Sequence, residues 1–103
     1  MIVQVQQKQH DLAALCRRYG VRRLELFGSA ATESEFDAER SDLDFLVEFE
    51  PRTEMGPADQ YFGLWEDLKT LFGREVDLVS TRSLRNPYFI ESVNATRQTL
   101  YAS

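Results

Sequence analysis

Apolar residues recur along this chain with two periods, and the switches between them mark its elements. Leu12, Leu15, Cys16 and Tyr19 fall at helical spacing, which predicts a helix over residues 4–19 with Gly20 as its stop. Val21–Phe27 then alternates as a strand, with Leu24 and Leu26 on one face. A short helix is expected over residues 30–35, with its first amides at Gly28-Ser29. A polar connection over residues 36–41 follows. Residues 42–49 read as the central strand, and residues 50–56 form a loop with Pro51 and Gly56. Pro57–Phe72 is a second amphipathic helix, with Tyr61, Leu64, Leu68 and Leu71 on its stripe and Gly73 at its end. Residues 75–80 make a third strand, and residues 81–85 a loop. Asn86 caps a last helix with Pro87 in its first turn, and that helix is expected to send Phe89, Val93 and Leu100 to the core. Alternating strands and helices predict a small α/β domain in which helices pack on a β-sheet.

The central strand also carries charge. Asp42 and Asp44 are separated by one residue, so they share a face with Cα atoms roughly 6.5 Å apart. Leu43, Phe45, Val47 and Phe49 occupy the other face, which buries itself. Two such carboxylates repel unless a cation sits between them, and oxygen-only ligands suit Mg²⁺. Asp77 stands opposite Val76 and Leu78 on the third strand. If the second and third strands are neighbours, three carboxylates converge, as a two-metal transfer of a nucleotidyl group requires. Gly28 lets a phosphate approach the backbone, and Ser29 offers a hydroxyl and an amide.

Each residue also has a plainer reading. Gly-Ser after a strand is often only a turn, and a strand's acidic face is often only solvated. Glu48 shares the aspartate face but lies at the far end, where a surface role is the expectation. Arg82 and Arg85 follow the third strand and suit either a phosphate contact or the surface. His10 is expected to be exposed and Cys16 buried. Tyr61 reads as core, while Phe62 or Trp65 on the helix flank suits contact with a partner.

At 103 residues the chain reads as one domain, residues 1–103. Hydrophobic content of 43% is enough for a core and argues against wholesale disorder. No stretch approaches the ~20 apolar residues of a membrane span. Gln4, Gln6, Gln7, Lys8 and Gln9 break any signal-peptide pattern, and the single cysteine forms no internal disulfide; both favour the cytoplasm. A net charge of −5 opposes direct nucleic-acid binding, though not binding of a metal-bound triphosphate.

In combination the motifs are specific. Gly28-Ser29, then Asp42-Leu43-Asp44, then Asp77 resemble the minimal nucleotidyltransferases (MNT domains) of the DNA polymerase beta-like superfamily. The resemblance extends through Tyr61-Phe62-Gly63-Leu64, Gly73-Arg74-Glu75-Val76-Asp77-Leu78-Val79 and Leu84-Arg85-Asn86-Pro87-Tyr88-Phe89. It implies a polymerase beta-like nucleotidyltransferase fold with a small mixed sheet, and ATP as substrate with Mg²⁺, two ions, as cofactor. It further implies a role as antitoxin to a HEPN-type ribonuclease toxin. Such proteins are thought to move AMP onto a tyrosine of that partner, with which this chain would form a hetero-oligomer. Asp42 and Asp44 would hold metal, Asp77 would hold metal or activate the acceptor, and Gly28 and Ser29 would hold the triphosphate. One stretch departs from the pattern. Relatives carry Ala-Arg-Gly after Gly-Ser, whereas Ala30-Ala31 here leads into Thr32-Glu33-Ser34-Glu35. A binding module that neutralises by contact alone, or an ATP sensor that transfers nothing, are the alternatives this leaves.

Overall fold

The computed structural model describes residues 1–33, 42–51 and 54–103. Ten elements run along it: α1 (Val3–Gln7), α2 (Gln9–Arg18), β1 (Val21–Phe27), α3 (Ser29–Thr32), β2 (Leu43–Phe49), α4 (Pro57–Phe72), β3 (Val76–Ser80), a 3₁₀ turn (Thr81–Ser83), α5 (Pro87–Thr96) and β4 (Gln98–Ala102). The four strands form one mixed sheet in the order β3-β2-β1-β4. β1 is antiparallel to both β2 and β4, while β2 and β3 are parallel and α4 makes the crossover between them. This is the α/β arrangement that the alternating pattern predicts.

Alternation along the strands builds the larger core on one face. Leu24 and Leu26 of β1, Leu43, Phe45 and Val47 of β2, and Val76 and Leu78 of β3 bury there against Leu12 and Cys16 of α2 and Leu64 and Leu68 of α4. Burial pushes the Cys16 thiol up to about 12, so it stays protonated and inert. Trp65 also serves this face, because its indole N–H donates to the Val76 carbonyl at 2.9 Å. Phe62 points outward and is 58% exposed, leaving it as the flank residue free for contact.

The second face is partly apolar as well. Phe27 and Leu46 bury there under Val93 of α5, with Val79 and Leu84 alongside. Phe89 was expected in the core but stays 38% exposed, meeting Phe27 edge-on at 5.9 Å between ring centroids.

Three helices differ from expectation, while β2 and β3 each begin one residue later than expected. The first helix is broken at Lys8 into α1 and α2. α1 is fastened by long-range bonds that periodicity does not reveal: Ile2 N–H donates to the Ala30 carbonyl, and the Gln4 amide donates to the Phe72 carbonyl. The last helix stops at Thr96, and Leu100 lies in β4 instead. β1 would otherwise leave one edge unpaired, and Gln98–Ala102 fills it. The third helix spans only Ser29–Thr32, while the polar connection over 36–41 lies outside the described residues. Among the described residues, no helix is long and apolar enough to cross a membrane.

Candidate active site

Strand direction brings the predicted residues to one end of the sheet. β2 and β3 begin there and antiparallel β1 ends there, so Phe27 pairs with Asp44, and Asp44 pairs with Asp77. Neighbouring strands lie about 4.8 Å apart, which places the two carboxylates side by side on the second face. Asp42 precedes β2 by one residue and is exposed, as is Asp77, whereas Asp44 is half-buried.

Burial holds the Asp44 carboxyl up at about 6, and the charges of Asp77 and Asp42 raise it further in the same direction. Asp44 therefore feels both neighbouring carboxylates, and a cation beside it would relieve the repulsion.

Gly28 completes the site. Its backbone lies at φ 76°, ψ −155°, a conformation closed to residues with a side chain. A Cβ there would also lie 2.6 Å from Asp44 Oδ2, so only glycine allows the turn and the carboxylate to meet. The Gly28 N–H donates to Thr96 Oγ1 at 2.8 Å, and its carbonyl accepts from Ala31 N–H at 3.1 Å. Ser29 follows, half-buried, as the first residue of α3.

These residues suit Mg²⁺. The donors are carboxylate oxygens, and Asp44 is drawn against a turn that leaves no room for a methyl group. Among the described residues no group of three or more His, Cys, Asp or Glu side chains is placed to hold a metal ion, so the expected ligand set of Asp42, Asp44 and Asp77 is not assembled here. The Asp44–Asp77 pair could still hold Mg²⁺, which binds through one or two carboxylates when waters and substrate phosphate oxygens supply the other ligands.

The remaining candidates lie elsewhere. Glu48 and Arg82 line a cleft of about 350 Å³ with Arg22, Phe49 and Tyr61, at the opposite ends of β2 and β3. Arg85 donates to the Arg82 and Leu84 carbonyls within its own turn. Tyr61 is half-buried and donates to the Leu78 carbonyl at 2.5 Å; burial first, then the charge of Asp77, raises its hydroxyl.

Sequence reasoning missed a buried ionic group behind the site. Glu25 is 3% exposed and accepts from Arg97 Nε at 3.2 and 3.1 Å, with Arg97 Nη2 and Arg23 Nε also paired to it. The Arg97 hydrogen bonds are the main cause holding its carboxyl below the usual range. The only signal in the sequence was a carboxylate set between Leu24 and Leu26.

Comparison with known proteins settles the class. The nucleotidyltransferase domain family matches residues 12–100. The chain belongs to that family. It is 36% identical over 76 residues to a Methanocaldococcus jannaschii protein named, by inference, a protein adenylyltransferase; the match spans 74% of this chain and 73% of that one. A solved structure described as a minimal nucleotidyltransferase shares the fold with a TM-score of 0.72 and 35% identity, over 91% of this nucleotidyltransferase and 90% of that chain. The fold also recurs at 22% identity and TM-score 0.64 in a complex of a tri-AMPylated Shewanella oneidensis HEPN toxin with its MNT antitoxin, covering 96% and 73% of the two chains. This nucleotidyltransferase is thus an MNT-type enzyme with a nucleotide substrate.

Proposed function

We propose that this enzyme is a Mg²⁺-dependent protein adenylyltransferase that neutralises a HEPN-type toxin by moving AMP from ATP to a tyrosine of the toxin. One observation carries the reading: Asp44 and Asp77 are register partners on adjacent strands, against a Gly28 turn that tolerates no side chain. The likeness to protein adenylyltransferases and to an AMPylated toxin complex supports the choice of acceptor.

Each residue then has a task. Gly28 and Ser29 hold the triphosphate of ATP, and Asp42 and Asp44, with Asp77 beside them, hold Mg²⁺. When bound, Mg²⁺ offsets charge on the phosphates and lowers the pKa of the acceptor hydroxyl. Asp77 takes the proton of the tyrosine hydroxyl. The tyrosine oxygen forms a bond to the α-phosphorus, the bond from that phosphorus to the β-phosphate bridging oxygen breaks, and pyrophosphate leaves. In this reading the reaction takes place in the cytoplasm, and the toxin and this chain form a hetero-oligomer.

Ala31-Thr32, where the resemblance implies Arg-Gly, and the acid Glu33 after them favour a second reading of neutralisation by contact alone. Glu33 occupies the left-handed region at φ 63°, a conformation that suits glycine, and it adds a negative charge close to Ser29. Intact-mass analysis of the co-expressed toxin decides between the two. Transfer adds about 329 Da per AMP and vanishes with Asp44→Asn, because the metal-ion chemistry is lost. A toxin that is neutralised without mass change, indifferently to Asp42→Asn, refutes the transferase reading in favour of the binding module.

A further inference from the structure

We infer that Thr96 is a positioning residue for nucleotide binding, presented to the Gly28 turn by the Glu25–Arg97 ion pair. The inference rests on the proposed use of Gly28-Ser29 for the triphosphate of ATP.

The geometry starts at the end of β1. Phe27 is the last β1 residue paired to β2, so the Gly28 N–H has left the ladder. A backbone donor in a half-buried turn needs an acceptor, or its lost hydration goes uncompensated. Thr96 Oγ1 is that acceptor at 2.8 Å, from the last residue of α5 and 68 positions away. The Gly28 amide is thereby committed to the protein. Ser29, one residue on, is left to face the nucleotide.

The hydroxyl is held in place from both sides. Val93, one turn earlier in α5, buries on Phe27 and Leu46. Arg97, one residue later, grips buried Glu25 through Nε and Nη2, and its Nη1 reaches Asn94 Oδ1 at 2.7 Å. Glu25 lies on the same strand as Phe27, two residues before it. The end of α5 is therefore fastened to the strand that delivers Gly28. Because Asp44 Oδ2 stands so near the Gly28 Cα, any drift of the turn also moves the carboxylate–phosphate spacing.

Thr96→Val keeps the shape of the side chain and removes the acceptor, whereas Thr96→Ser keeps the acceptor. Titration calorimetry with Mg–ATP on the full chain should show a dissociation constant raised about tenfold for Thr96→Val and near wild type for Thr96→Ser. Hydrogen exchange followed by NMR should show a slow Gly28 amide in wild type, both with and without Mg–ATP, and a fast one in Thr96→Val. Equal Mg–ATP affinity in wild type and Thr96→Val overturns the inference, as does an equal loss in Thr96→Val and Thr96→Ser, which marks packing instead of the hydroxyl. If Thr96→Val does not fold, the wild-type exchange still decides: a fast Gly28 amide, or one slowed only by Mg–ATP, overturns it. A wild-type chain that binds no Mg–ATP refutes the nucleotide-binding reading. Slow Gly28 exchange in that chain would leave the bond standing and strip it of this role.

Discussion

Asp44→Asn should make the metal-free protein more stable at neutral pH while abolishing its response to Mg²⁺. The carboxyl of Asp44 is raised from 3.8 to about 6, by burial first and then by Asp77 and Asp42. A raised carboxyl is unstrained below pH ~4, where it is protonated folded or unfolded. Stability is then lost as pH rises from there through about 6, because the unfolded chain ionises first. Such a gap corresponds to at most ~3 kcal/mol at 1.36 kcal/mol per unit. Asp44 is only half-buried, so solvent screening reduces this to about 1 kcal/mol. In a domain of this size about 1 kcal/mol moves the melting temperature by roughly 4–8 °C. Thermal melts in chelator should therefore place Asp44→Asn several degrees above wild type at pH 7.5, with no gap near pH 4. Added Mg²⁺ should raise the wild type and leave the variant unmoved. An equal gap at both pH values, or an equal rise with Mg²⁺ in both proteins, would refute the electrostatic account of the site.

Asp77→Asn should slow AMP transfer by roughly 10²-fold or more while Mg–ATP binding stays within a few-fold, since a base acts mainly in the transition state; single-turnover kinetics beside calorimetry read the split, and unchanged transfer refutes the assignment. Arg97→Ala should cost about 2 kcal/mol at pH 7 by leaving buried Glu25 with only Arg23. Because Glu25 is held low, that loss should fade as pH falls through its depressed pKa, where the paired carboxylate is protonated; urea melts against pH test this. Glu33→Gly should add about 0.5–1 kcal/mol, since φ 63° suits glycine and disfavours a side chain; a lowered urea midpoint would contradict the strain argument.

Local pattern alone determined most elements and named the candidate residues of the site. Val21–Phe27 and Pro57–Phe72 were legible to the residue, because Leu24 and Leu26 flank Glu25 in the first and a helical stripe runs through the second to a glycine that ends it. Asp42, Asp44, Asp77 and Gly28-Ser29 were legible as candidates because their residue types have few structural uses in that order. The pairing of Asp44 with Asp77 was not, since it needs β3 beside β2 in one register, and register is a relation between distant strands. The same reason hid β4. Gln98–Ala102 is short and largely exposed, so it becomes a strand only by filling the open edge of β1. It also hid Glu25 with Arg97 and Gly28 with Thr96, pairs 72 and 68 positions apart. Periodicity reports which side of an element is apolar. Only packing decides which element lies against that side, and which hydroxyl or guanidinium arrives with it.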